Sequence, residues 1–126
     1  MNKILADNFK RIEGSFVFYL HEMAEFNELA FWDYYNSIVA LTTLVKENSH
    51  LDRKLLDMVC NTYDFILRSF MWHFHPKDLY SISNLPEDDL PLYIERLEFA
   101  FNGFIRGQIY EDNIFELPNP TINDKL

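Results

Sequence analysis

Hydrophobic positions recur along most of this chain at the three- and four-residue spacing of one helix face. Ile4, Leu5 and Phe9 suit a short helix from Asn2 to Arg11 that Gly14 interrupts. Ser15 can cap a second helix through Glu25, although Phe16, Val17, Phe18 and Tyr19 would also suit a buried strand, so the segment around 15–25 stays open between the two. Asn27 is placed to cap a long helix from Glu28 to about Glu47, with Phe31, Tyr34 or Tyr35, Ile38, Leu41 or Thr42, and Val45 on its apolar face.

Ser49 with Asp52 three residues on makes a variant of the capping box. The helix after it sets Leu55, Met58 or Val59, Thr62, Ile66, Phe70 and Phe74 along one face before Pro76 ends it. A short helix or turn fits Asp78 to Asn84. Glu87, Asp88, Asp89 and Pro91 then look like the acidic first turn of a further helix carrying Leu92, Tyr93, Leu97, Ala100, Phe101, Phe104 and Ile105, with Gly107 as its C-terminal cap. Beyond Gln108, Ile109, Tyr110, Ile114, Phe115 and Leu117 suggest a short docked segment, followed by a frayed tail from about Asn119. The pattern predicts an all-α, compact bundle of about five to six helices in one domain over 1–118, with 119–126 as a flexible tail.

Composition sharpens this picture. With 126 residues the chain holds one core, and 12 Phe, 7 Tyr and 2 Trp make that core aromatic. The longest uncharged stretch, Tyr34 to Val45, is too short and too polar to span a bilayer, so no membrane partner is expected. Asp7, Lys10 and Arg11 break the apolar run that a signal peptide needs, which points to a cytoplasmic protein. Cys60 is the single cysteine, so an intrachain disulfide and a cysteine-based zinc cluster are excluded; among apolar neighbours it should act as a small hydrophobe.

A net charge of −9 argues against nucleic acid as a partner, since phosphate contact needs clustered Lys and Arg. The acids are also unevenly opposed. No Lys or Arg lies between Arg11 and Lys46, where Glu13, Glu22, Glu25, Glu28 and Asp33 stand. Asp78, Glu87, Asp88, Asp89 and Glu95 are unopposed before Arg96, as are Glu111, Asp112 and Glu116 after Gln108. Such fields steer cationic partners.

Catalytic chemistry finds little support. His73 and His75 are the one close histidine pair, but two apart on a helix they point about 200° from each other, so the simpler account is an imidazole near a helix C-terminus. Glu47 and His50 form one Glu-x-x-His step where a di-iron bundle requires two. With three glycines there is no nucleophile elbow, P-loop or dinucleotide fingerprint. Paired acids such as Glu111 and Asp112 could serve a glycosidase, yet consecutive carboxylates more commonly form a solvated helix start or loop. Set beside Tyr93 and Tyr110, the same acids have the mixed character of a hot spot for a basic partner, although the aromatics could equally all be core.

The segments NFKRIEGSFVFYL, AFWDYYNSIVALT, FILRSFMWHFHPKDL and YIERLEFAFNGFIRG resemble the small helical immunity proteins of bacterial polymorphic toxin systems, of the immunity protein 41 type. The resemblance runs from about Asn8 to Phe115 and rests mainly on apolar and aromatic positions, so it bears on fold more than on chemistry. It implies a cytoplasmic protein that binds and neutralises a cognate, basic toxin domain such as a nuclease, without cofactor or turnover. On that expectation Glu87, Asp88, Asp89, Glu111 and Asp112 attract the toxin, while Tyr93, Tyr110 and Phe115 anchor it. The alternative is a helical adaptor that takes a peptide or partner helix in a groove between its long helices.

Overall fold

The computed structural model describes residues 3–123 and is an all-helical bundle, as the periodicity predicts. Its elements are α1 (Lys3–Phe9), α2 (Phe16–Glu22), α3 (Glu28–Val45), α4 (Arg53–His73), α5 (Leu90–Arg106), a 3-10 turn at Asp112–Ile114, and α6 (Pro120–Asn123).

The open choice at 15–25 resolves as a helix because two side chains supply its first hydrogen bonds. Ser15 Oγ accepts from Phe18 N at 3.1 Å, and the buried Asn8 of α1 accepts from Val17 N at 3.0 Å through Oδ1. Helical winding then puts Phe16, Val17 and Leu20 together in the core, where a strand would have alternated them across two faces. This helix stops at Glu22, short of the expected Glu25, because Ala24 turns the chain at φ 47. Glu25 instead forms an isolated parallel bridge with Ser83, with Ser83 N donating to Ala24 O at 2.8 Å and Phe26 N to Ser83 O at 2.9 Å. Tyr80, which donates to Leu20 O at 2.6 Å, completes this seam, so the segment after Pro76 is a stitched loop rather than a helix.

Asn27 caps α3 by accepting from Ala30 N at 3.0 Å. At α4 the cap is Asp52, whose Oδ1 accepts from Lys54 N at 2.9 Å, so the expected capping role of Ser49 is corrected: it lies in the linker ahead of the cap. Gly107 takes the left-handed position at φ 68 that ends α5, and a Cβ there would stand 2.7 Å from the Lys46 carbonyl oxygen.

That approach fixes the architecture. Glu28 meets Tyr93, Tyr35 meets Arg96 and Lys46 meets Gly107, so α3 and α5 run parallel along their length. Tyr63 stacks on Phe101 at 4.4 Å between ring centroids and His73 meets Glu87, so α4 runs antiparallel to α5. Helices α1 and α2 close the bundle against α3 and α4. The core centres on Phe31, with Phe16 at 5.5 Å, Trp32 at 5.0 Å and Tyr93 at 4.9 Å, all edge to face, and Phe26 stacked at 5.7 Å.

Several apolar positions expected on helix faces lie outside the core: Ile4 and Phe9 of α1 are exposed, Phe74 caps the end of α4 at 56% exposure, and Ile105 is 45% exposed in the last turn of α5. The frayed tail expected from Asn119 also needs correction. Asn119 is buried, donates to Asn36 Oδ1 on α3 at 2.7 Å, and is followed by α6; of the expected tail, residues 124–126 lie outside the described residues. No helix among the described residues is long and apolar enough to cross a membrane.

Candidate functional site

Because α3 and α5 are parallel, their N-termini share one end of the bundle. Glu28 opens α3 there, and Glu87, Asp88 and Asp89 lead into α5, where helix dipoles favour negative charge. The three acids precede the first turn of α5 instead of forming it as the sequence had suggested: Leu90 and Pro91 begin the helix, and Asp89 caps it through its backbone without a side-chain bond. Asp88 and Asp89 are exposed, and no Lys or Arg among the described residues pairs with either. Leu29, 78% exposed, sits directly beside Glu28.

Glu87 is partly engaged, since its Oε1 accepts from His73 Nε2 at 3.0 Å. His73 Nδ1 accepts from Ile82 N at 2.9 Å, which assigns the proton of the neutral ring to Nε2. The imidazole thus ties the 74–89 loop to the end of α4, a structural role for the residue singled out as half of a close pair. Among the described residues no group of three or more His, Cys, Asp and Glu is arranged to hold a metal ion. Cys60 is only half-buried, and burial followed by the Asp57 charge raises its pKa, which favours the unreactive thiol.

The second acidic group lies on a segment that folds back along α5. Arg96, fully buried, pulls it in: its guanidinium donates to Leu117 O at 2.6 and 3.1 Å and to Tyr35 Oη at 3.0 Å, pairs with Asp112 Oδ1 at 2.7 Å, and lies 4.0 Å from the centroid of the Phe115 ring. Asp112 is therefore a counter-ion of the fold. Phe115 is buried and Tyr110 half-buried, both edge-on to Phe99 at 5.3 and 5.0 Å. Tyr93 is 6% exposed and its hydroxyl donates to Glu28 Oε1 at 3.3 Å.

The expectation that Tyr93 and Phe115 offer surface anchors is corrected accordingly: the parallel α3/α5 contact takes the first and the Arg96 clamp the second. The exposed apolar side chains beside Glu111 are Ile109 and Ile114, at 40% and 54%. Glu111 itself is exposed. Asp89, Tyr93 and Arg96 fall at i, i+4 and i+7 on one stripe, so the clamp at Asp112 sits about 10 Å along α5 from Asp89.

Tyr93 also reports on this end of the bundle. Burial, then the charge and hydrogen bond of Glu28 and the charge of Asp89, push its pKa up to about 12. Tyr34, Tyr35, Tyr63 and Tyr80 are likewise held above the ordinary value, burial being the largest cause in each. An unfolded tyrosine ionises near pH 10, so above that point the unfolded chain loses protons that the folded one keeps. Stability contributed this way is fully present below about pH 10 and is lost as pH rises towards 12 and beyond, by up to about 1.4 kcal/mol per pH unit for each tyrosine. Urea midpoints measured across that range should fall, and Tyr93→Phe should make the fall shallower.

Comparison of the chain with models of protein families, with curated proteins and with solved structures found no match.

Proposed function

We propose that the chain is an immunity protein that binds and neutralises a cognate, basic bacterial toxin domain through its acidic α3/α5 end. The observation that carries this reading is the pair Asp88 and Asp89, exposed and unopposed by any described Lys or Arg at the end where two parallel helices begin. Glu28 extends the field at that end with the exposed Leu29 beside it, and Glu111, between the exposed Ile109 and Ile114, stands farther along α5. Acids of this kind accelerate encounter with a cationic surface, while apolar contacts retard dissociation. The reading assigns no cofactor and no turnover, and places the protein in the cytoplasm of the toxin-producing cell.

Co-expression with the toxin domain encoded beside it should restore growth to cells that the toxin alone arrests. Asp88→Lys with Asp89→Lys should slow association by about tenfold or more at low salt and leave the dissociation rate close to unchanged, because exposed rim charges act mainly on encounter. Circular dichroism checks that the double variant is folded. Growth arrest despite the wild-type protein, or an unaltered association rate in a folded variant, contradicts the proposal.

The adaptor reading has an observation in its favour in a cleft of about 250 Å³, although it lies between the short α2, α4 and the loop at 78–80 and not between the long helices as expected. It would bind a short segment and not a folded basic domain.

A further inference from the structure

One side chain holds two points of the loop that delivers Glu87, Asp88 and Asp89 to the start of α5. His73, in the last turn of α4, is 10% exposed. Its Nδ1 accepts from Ile82 N at 2.9 Å and its Nε2 donates to Glu87 Oε1 at 3.0 Å. Ile82 is itself buried, at 4% exposure, and the next residue, Ser83, makes the bridge to Ala24 and Phe26. The imidazole therefore sits where the 74–89 loop is joined to the rest of the bundle.

This arrangement requires a neutral ring. A neutral imidazole has one donor and one acceptor, and both are used; a second proton could enter only at Nδ1, where the Ile82 N–H already points. Imidazolium carries two donors, so protonation sets two N–H groups against each other and leaves a buried backbone donor without its acceptor. The attraction between imidazolium and the Glu87 carboxylate opposes this. Glu87 is 62% exposed, so water screens that attraction, and the lost backbone bond decides the balance.

The other charged groups around the ring do not offset it. On α4, Arg68 pairs with Asp64, and on α2, His21 stands 3.5 Å from Glu22. In the loop, Asp78 Oδ1 accepts from Tyr80 N and His75 Nδ1 from Lys77 N. Glu25 on the stretch that meets Ser83, and Asp88 and Asp89 before α5, form no hydrogen bond or ion pair with the ring. Its remaining neighbour is the Phe74 ring, edge-on at 4.7 Å.

We propose that His73 is a proton-operated latch: uptake of a second proton at Nδ1 releases Ile82 and frees the 74–89 loop, with Asp88 and Asp89, from the end of α4. The closed form excludes a proton that the open form accepts, so acid shifts the balance towards the open form. On the toxin reading the same release displaces the two acids assigned to encounter; the latch itself stands without that reading.

Amide exchange of the free protein, followed by NMR from about pH 7.5 to about pH 5, tests this with no toxin present. Relative to the intrinsic rate, protection at Ile82 and Ser83 should fall by about tenfold or more on acidification, while Ile38 in the middle of α3 keeps its own. Long-range nitrogen–proton spectra of the His73 ring should show Nδ1 unprotonated at the upper end of the range and protonated in step with that fall. His73→Asn, which keeps an acceptor near the Nδ1 position and does not titrate, should abolish the response, whereas Glu87→Gln and His75→Gln should retain it. Unchanged protection at Ile82 across the range, an Ile82 hydrogen bond that outlasts protonation of Nδ1, or a response that persists in folded His73→Asn overturns the proposal. The first two outcomes are read on the wild-type protein, so the test holds even where a variant fails to fold. Toxin affinity enters none of these measurements, which separates failure here from failure of the toxin-binding proposal.

Discussion

Asp112→Ala should destabilise the protein by about 3–5 kcal/mol, more than the loss of Arg96 itself. The asymmetry follows from burial. Arg96 is fully enclosed, so removing Asp112 leaves a cation without its counter-ion, with Leu117 O and Tyr35 Oη as its remaining hydrogen-bond partners. Asp112, one-third exposed, can be rehydrated when the arginine goes. Arg96→Met keeps apolar contact with Trp32, Tyr35 and Phe115 and forfeits the hydrogen bonds, for an expected loss of about 1–3 kcal/mol. In the double variant Arg96→Met with Asp112→Ala, stability should return towards that of the arginine variant, since no buried charge remains. Urea unfolding of the three variants checks the cycle; an Asp112→Ala cost below that of Arg96→Met would contradict it. On the proposed function, any change in toxin affinity in Asp112 variants would then act through the fold of the 108–119 segment, and not through a lost interface contact.

Phe31→Ala should cost a similar amount, about 3–5 kcal/mol, through a cavity at the junction of α2, α3 and α5. Phe31 is fully buried and in ring contact with Phe16, Phe26, Trp32 and Tyr93 together, and the rigid rings of these neighbours limit collapse into the space. A domain of this size is stable by roughly 5–15 kcal/mol, so the variant should unfold at a temperature lower by on the order of 10–20 °C, or fail to fold at all. Phe31→Leu, which keeps most of the volume, should lose less than half as much. Equal losses would show that ring geometry, and not cavity volume, governs the site.

Much of this fold was legible because its signals are local. Asn27 as a cap, Gly107 as a terminator and the stripe Phe31, Tyr34, Tyr35, Ile38 depend on residues within one or two turns of each other. The Arg96 clamp escaped for the opposite reason. Flanked by Glu95 and Glu98, Arg96 looks like a solvated ion-pair residue until the chain has turned at Gly107 and brought Asp112 and Leu117 back to it. One signal was present in the sequence: Arg96 falls among Tyr93, Leu97 and Ala100 on the buried stripe of α5, where a charge needs a reason.

The candidate site was legible in part. Asp88, Asp89 and Glu111 are exposed acids, as their runs of unopposed charge implied, but adjacency in sequence could not separate the exposed Ile114 from the buried Phe115. That distinction is made by the short 3-10 turn at Asp112–Ile114, whose winding aims one side chain outward and the next at Arg96. Tyr93 was equally ambiguous, since a tyrosine beside acids fits both an interface and a core. The parallel approach of α3, which sequence periodicity does not encode, decided it.

Calorimetric titration with the toxin domain that the proposed function expects beside it, at low salt and at roughly 0.5 M salt, tests the central claim most directly. The account predicts one-to-one binding in the nanomolar range that weakens markedly in the higher salt and is impaired by Asp88→Lys with Asp89→Lys. No heat of binding at either salt, or tight binding indifferent both to salt and to those two charges, would contradict it.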